Sequence, residues 1–80
     1  MFHKVASVAP GAGCTLDVVF RDGARKQYDV RRLFDRWPVF RQLMTDNALF
    51  RQVKVDQGGY GVSWNDELDL SCDELYDYGQ

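Results

Sequence analysis

Residues 61–80 are dense in carboxylates, the side chains that act as general acids and bases or bind hard cations. The acidic residues of this segment are Asp66, Glu67, Asp69, Asp73, Glu74 and Asp77. Ser71, followed three residues later by Glu74 and then by Leu75, has the form of a capping box at the start of a helix. Asp73 and Glu74 then lie in the first turn, where the helix dipole favours negative charge. The carboxylates left over are few and irregularly spaced, so the sequence predicts neither a metal site nor a cofactor.

Nucleophilic and basic side chains suited to catalysis are sparse. His3 is the only histidine, and a position beside the terminus is hard for a fold to hold in place. Cys14 and Cys72 cannot make a disulfide framework; a single bridge between them is the alternative, and we expect two separate thiols. Cys72 would open the C-terminal helix, which favours a lowered thiol pKa and makes it the cysteine more open to oxidation or alkylation. We predict no catalytic residue, and a protein that is not an enzyme.

Basic residues are concentrated in the middle of the chain. Eight of the ten fall within residues 21–51, whereas residues 56–80 contain none. A basic centre with an acidic tail suits either a solvated face or a charge-complementary contact with a partner. Arginine and aromatic side chains are enriched at binding hot spots. The candidate partner-binding surface therefore consists of Tyr28, Arg31, Arg32, Arg36, Trp37 and Arg41.

For each of the two tryptophans, Trp37 and Trp64, we favour a position in the core over a binding contact. Trp64 is nevertheless the candidate contact for a small ligand, because a hairpin face can line a pocket. Neither an RNA-binding motif, a recognition helix nor a zinc knuckle accompanies the arginines, so we expect no nucleic-acid binding by the chain on its own.

The strands that position these residues follow from the alternation of apolar and polar residues. Residues 3–9 predict a first strand. Residues 14–30 alternate on both sides of Gly23, which supplies a tight turn, and predict a β-hairpin. Residues 53–56 and 60–64 predict a second hairpin, with Tyr60, Val62 and Trp64 sharing one face.

Between the hairpins, the spacing of apolar residues predicts two or three short helical turns. Pro38 and the cluster at 45–47 interrupt any longer helix, with Thr45 or Asp46 as the cap of the last turn. The chain is therefore predicted to be a single small α+β domain over residues 1–80. It would contain two or three antiparallel hairpins or strand pairs, short central helical turns and a short C-terminal helix.

Size and composition limit the function further. The chain has 80 residues, 45% of them hydrophobic, and a formal net charge of −2. The near balance of charge provides no field that would hold a nucleic-acid backbone. No apolar run approaches the roughly 20 residues of a membrane span, and the N-terminal segment lacks the apolar region of a signal peptide. We expect a cytoplasmic protein without membrane contact.

Several short motifs follow one another in a recognisable order. They are Val18-Val19-Phe20-x-Asp22-Gly23, Tyr28-Asp29-Val30, Phe40-x-x-Leu43, Leu49-Phe50-x-x-Val53, Gly61-Val62-x-Trp64 and Asp69-Leu70-Ser71-x-Asp73-x-Leu75-Tyr76. This succession resembles the small bacterial family known as domain of unknown function 2442, which is similar in fold to the N-terminal domain of a longer transcription-factor-like protein. The chain departs from that pattern at Glu67, where relatives often carry glycine, and at Cys72, where they often carry proline.

The resemblance implies an α+β fold of paired hairpins and assigns no function. It also implies stand-alone proteins encoded beside another small protein, in the manner of toxin–antitoxin pairs, or modules attached to a helix-turn-helix. Our first hypothesis is a non-enzymatic protein-interaction module that binds a small cognate protein or itself as a homo-oligomer. The alternatives are a regulatory or antitoxin-like component that contacts DNA, and a small-molecule-binding domain.

Overall fold

A computed structural model describes residues 3–80 of the chain. It contains two three-stranded antiparallel sheets and a set of short helices, which confirms the α+β class. The strands are β1 (Val5–Pro10), β2 (Thr15–Phe20), β3 (Arg25–Asp29), β4 (Lys54–Val55), β5 (Gly61–Ser63) and β6 (Asp69–Ser71). The α-helices are α1 (Gln42–Thr45), α2 (Asn47–Phe50) and α3 (Cys72–Tyr78). Single 3₁₀ turns cover Ala12–Cys14, Val30–Leu33, Pro38–Arg41 and Gln57–Gly59.

The first sheet has the order β1-β2-β3 and contains the predicted hairpin. Gly23 adopts a φ of 93° in the connection between β2 and β3, which glycine tolerates because it lacks a Cβ atom. The Asp22 carboxylate accepts a hydrogen bond from the Ala24 amide at 2.9 Å and closes the turn. Leu16 lies opposite Tyr28 in the β2–β3 register, so both side chains point to the same face, and both are buried.

The middle of the chain forms three helical segments, as predicted. Asp29 caps the turn Val30–Leu33 by accepting from the Arg31 amide at 3.0 Å. The turn Pro38–Arg41 runs directly into α1. Asp46, rather than Thr45, caps α2 by accepting from the Leu49 amide at 3.0 Å. Side chains that bond backbone amides in this way favour helix starts, and the extended backbone of Asp46 separates α1 from α2.

The second sheet has the order β4-β5-β6 and includes the second predicted hairpin. Val62 and Trp64 are buried on its inner face as expected. Tyr60 corrects the prediction: it precedes β5, and 50% of it is exposed. Gly58 and Gly59 both have positive φ in the preceding turn, so the chain rotates there and Tyr60 leaves the alternating pattern.

The last helix, α3, begins as the capping box predicts, but only one of its two bonds forms. The Ser71 hydroxyl accepts from the Glu74 amide at 3.1 Å. The Glu74 carboxylate turns away from Ser71 and accepts instead from the Tyr28 hydroxyl. Leu70 and Leu75 on either side of the cap are both buried in the single core that joins the two sheets and α3.

Candidate partner-binding surface

Of the six residues predicted for the partner-binding surface, the structure places five at the surface and one in the core. All four arginines and Trp37 are exposed. Tyr28 is 0% exposed and therefore cannot contact a partner, which corrects its inclusion. The reason is its register opposite Leu16, which places its ring on the core face of the hairpin.

Tyr28 instead lies beneath this surface and contacts two of the residues at it, Glu74 and Arg32. Its hydroxyl donates to Glu74 Oε2 at 2.6 Å, and Arg32 Nη1 lies 3.8 Å from the same oxygen. The Arg32 guanidinium also covers the Tyr78 ring at 4.1 Å. Burial, together with the hydrogen bond and charge of Glu74, raises the pKa of Tyr28 far above its ordinary value, so the hydroxyl remains a donor at any physiological pH. These contacts fix the orientation of Glu74 and Arg32 at the surface.

Trp37 is a large apolar side chain left half exposed, at 48%. Its backbone is held between two helical turns, because its amide donates to the Leu33 carbonyl at 2.8 Å and its carbonyl accepts from Phe40 at 3.0 Å. Pro38 directly after it keeps Trp37 out of helical geometry. The Arg36 guanidinium lies 5.2 Å from the centre of the indole ring, within the range of a cation–π contact.

A cleft of about 350 Å³ opens beside Trp37. Its apolar lining comes from Leu33, Val39, Phe40 and Leu70. Val39 is itself 41% exposed, whereas Phe40 is a core residue, so the cleft has an apolar floor and an apolar lip. Concave apolar surfaces of this kind are typical of binding sites rather than of solvated faces.

A second cleft of about 330 Å³ adjoins the first, and Arg32, Arg36 and Tyr78 are among the residues that line it. Three residues line both clefts: Leu33, Trp37 and Glu74. We call the two clefts together, with Trp37 in the lining of both, the Trp37 groove. The groove is therefore continuous from the turn Val30–Leu33 to β6.

The Trp37 groove has ends of opposite charge. Arg32 and Arg36 line only the second cleft, and Glu67 and Asp69 line only the first. Within residues 3–80, Arg36, Glu67 and Asp69 take part in no ion pair, so their charges are available to another molecule. The sequence predicted the basic end. Glu67 and Asp69 were among the carboxylates that helix capping did not explain, and that was the signal for the acidic end.

Arg31 and Arg41 lie outside the Trp37 groove. Arg31 forms a bidentate contact with Asp29, at 2.7 Å for the shortest pair of atoms, and this contact lowers the pKa of Asp29. Arg41 lies 3.3 Å from an Asp35 carboxylate oxygen and donates to the Phe34 carbonyl. Both guanidinium groups thus have local partners, and the contiguous charged surface is smaller than the sequence predicted.

Trp64 is a core residue, with 4% of its surface exposed. Its indole Nε1 donates to the Phe50 carbonyl at 3.0 Å, and its ring packs against Phe40 and Phe50. The structure therefore places Trp64, the candidate ligand contact, in the core, where its ring is packed and its one polar atom is already hydrogen-bonded.

The cysteines and the histidine each have a defined environment in the structure. Cys14 and Cys72 are both free and buried. Burial raises the pKa of each thiol, and Asp73 raises that of Cys72 further, which corrects the expectation of a more reactive Cys72 at the helix start. His3 stacks on Tyr76 with 3.5 Å between ring centres. In the described part of the chain, no three His, Cys, Asp or Glu side chains converge on a metal position, and no helix is long and apolar enough to cross a membrane.

These features define a small α+β domain with two antiparallel sheets around one core. The chain belongs to the family described as protein of unknown function (DUF2442), whose model matches residues 5–80. This confirms the resemblance drawn from the sequence motifs.

The same fold occurs in the crystal structure of a protein from Nitrosomonas europaea that is named a "putative DNA binding protein". The two share 22% sequence identity with a TM-score of 0.76 over 94% of this chain, and the likeness concerns the fold alone. The chain covers 47% of that protein, about half of its length. No curated protein matches the sequence.

Proposed function

We propose that this domain is a non-enzymatic protein-interaction module that binds a partner protein through the Trp37 groove. The observation that supports it is the half-exposed Trp37 between an apolar cleft and an arginine-lined cleft. Tryptophan and arginine dominate the energetics of protein interfaces because they bury large areas and remain polar at one edge. A partner that covers Trp37 and Val39 removes apolar surface from water that the isolated domain leaves exposed.

The chemistry of the titratable groups supports a role in binding rather than catalysis. A nucleophilic cysteine needs a lowered pKa, and both thiols have raised ones. His3 pairs with Tyr76 and Asp22 rather than with a nucleophile. The proposed site accordingly uses apolar and charged contacts and no bond-breaking step.

Contact with DNA is the second candidate, and the fold shared with the Nitrosomonas europaea protein favours it. That protein contains as much chain outside the shared domain as within it, so its name does not assign DNA contact to either half. Charge weighs against DNA here, because Glu67, Asp69 and Glu74 line the same groove as the arginines. Carboxylates beside a phosphate backbone would oppose the counterion release that drives such binding.

A matched capture experiment tests the proposal. Tagged wild-type protein, Trp37→Ala and Met44→Ala are used as baits in lysate of the source organism, with and without nuclease. Met44 is the control because it is 58% exposed and lies outside the Trp37 groove. We expect one stoichiometric protein with the wild type and with Met44→Ala, insensitive to nuclease and lost with Trp37→Ala.

Other outcomes assign the function elsewhere. Nucleic acid in the eluate, with binding that falls steeply as salt rises, would favour the DNA hypothesis. Capture that is the same for wild type and Trp37→Ala would show that the groove is not the binding surface.

A further inference from the structure

We infer that the partner in the Trp37 groove is a second copy of this chain, docked about a two-fold axis that passes beside Trp37. This inference rests on the proposed function, because it uses the same groove, and it specifies the occupant. The geometry points to a second copy because the groove is complementary to itself.

The first argument is the order of charges along the groove. Arg36 lines the second cleft, Glu67 and Asp69 line the first, and Trp37 lines both. A two-fold rotation about Trp37 reverses this order, so the basic end of one copy faces the acidic end of its partner. In such an isologous interface every contact occurs twice, and both ends are neutralised together.

The second argument is that these charges are not neutralised by ion pairs among the described residues of one copy. In the described part of the chain, Arg36, Glu67 and Asp69 make no ion pair, although Arg31, Arg32 and Arg41 each do. Arg36 is held over the Trp37 ring, which orients it at the rim without neutralising it. An ordered, unpaired arginine and two unpaired carboxylates are the complement that a second copy supplies.

The third argument is the apolar surface between the charged ends. The same rotation brings the two Trp37 rings together, and Val39 of each copy toward the apolar cleft of the other. Aromatic rings favour offset stacked or edge-to-face contact, which this arrangement allows. Both exposed side chains would be buried in a single step.

The surface area that a stable dimer must bury shows how far the interface has to extend beyond Trp37. A specific dimer buries about 800 Å² on each copy, which is roughly a sixth of the 5064 Å² that this chain exposes. Trp37 and Val39 alone cannot supply that area, so the interface must reach the charged ends. Arg36 and Glu67 are therefore expected inside the contact, where a charge reversal has a large effect.

A charge-swap experiment tests the inference. Sedimentation velocity measures the dimer dissociation constant of wild type, Arg36→Glu and Glu67→Arg, starting from a monomer of 9.2 kDa. Each single variant places like charges opposite each other twice, so we expect its Kd to rise by at least about tenfold. An equimolar mixture of the two variants restores both opposite-charge pairs in the heterodimer, and we expect its Kd to return toward the wild-type value.

Two controls accompany the swap. Arg25→Glu makes the same change of charge on β3, outside the Trp37 groove, and should leave the Kd unchanged. Circular dichroism of each variant shows whether it is folded, so a loss of dimer is not confused with unfolding.

The outcomes separate this inference from the proposed function. A wild type that stays monomeric at every concentration overturns the second copy as partner, and Trp37-dependent capture of another protein would then leave the proposed function intact. A dimer that both variants leave unchanged, or that the mixture fails to restore, also overturns the inference, because the interface then lies elsewhere. A monomeric wild type with no Trp37-dependent capture overturns both.

Discussion

The Tyr28 hydroxyl connects the core to the surface, and removing it is the most direct test of the structure. Tyr28→Phe keeps the buried ring and deletes the donor that holds Glu74 at 2.6 Å. Hydrogen bonds to charged groups contribute about 1.5–3 kcal/mol to stability. The Glu74 side chain is 27% exposed, so water can partly replace the lost donor. We therefore expect the free energy of unfolding to fall by about 1.5–2 kcal/mol, the lower part of that range.

Urea unfolding followed by circular dichroism measures this loss. A domain of 80 residues is expected to have a total stability of about 4–12 kcal/mol, so a change of this size is well resolved. Tyr78→Phe is the matched control: it removes a hydroxyl from a half-exposed ring of the same helix as Glu74 and should change stability by less than about 0.5 kcal/mol. Pairing Tyr28→Phe with Glu74→Gln in a double-mutant cycle gives the coupling between the two groups.

The pH dependence gives a second, independent test of the same contact. The Tyr28 hydroxyl ionises near its ordinary pKa of 10.0 in the unfolded chain, whereas burial and Glu74 keep it protonated to much higher pH in the folded chain. Above pH 10.0, unfolding therefore releases a proton, and the stabilisation falls by up to about 1.4 kcal/mol per pH unit. Tyr28→Phe lacks this proton, so the stability difference between wild type and variant should be constant at neutral pH and shrink above pH 10.0.

Either of two results would refute this reasoning. One is a Tyr28→Phe protein as stable as the wild type at neutral pH. The other is a difference that stays constant through alkaline pH, which would mean that the hydroxyl is solvated in the folded protein.

Three further predictions follow from the same structure. Ser71→Ala should cost about 0.5–2 kcal/mol in urea unfolding because it removes the cap of α3, whereas Ser71→Gly should cost only a few tenths of a kcal/mol; no loss with alanine would contradict the cap. Trp64→Phe should lower the free energy of unfolding by about 2–4 kcal/mol, because it leaves a cavity and an unpaired Phe50 carbonyl. Trp37→Phe should change it by less than about 0.5 kcal/mol, and equal losses for the two variants would contradict the assigned burial. The buried thiols of the cysteines should react with a thiol reagent at neutral pH at a rate that rises with added urea, and immediate stoichiometric labelling of native protein would contradict their burial.

Much of the fold could be predicted from the sequence because its signals are local. Alternating residues on both sides of Gly23 predicted the β2–β3 hairpin, and Gly23 has the positive φ that such a turn uses. Ser71 and Asp46 both cap helices with their own side chains, so the helix starts are encoded within three residues. Pairing of β6 with β5 was not predicted, because the contact depends on how the core assembles rather than on any local pattern.

The candidate site was harder to predict because exposure is decided by tertiary packing. Trp37 and Trp64 look alike in sequence, yet one is exposed and the other donates to a carbonyl in the core. Tyr28 was placed on the surface with the arginines, although the alternation that predicted its hairpin already put it on the face of Leu16. The acidic end of the groove comes from the turn before β6 and from the first residue of β6, far in sequence from the arginines, so the charge pattern emerges only when the second sheet folds against the central turns.

The structure also dictates which substitutions can show what the Trp37 groove does. Its floor is shared with the core: Phe40 is buried and packs on Trp64, so a change there would unfold the domain and abolish binding for an uninformative reason. Its rim is not shared, because Trp37, Arg36 and Glu67 are exposed and make few contacts that the fold needs. A rim variant that keeps its full stability and loses its partner would therefore report on binding alone.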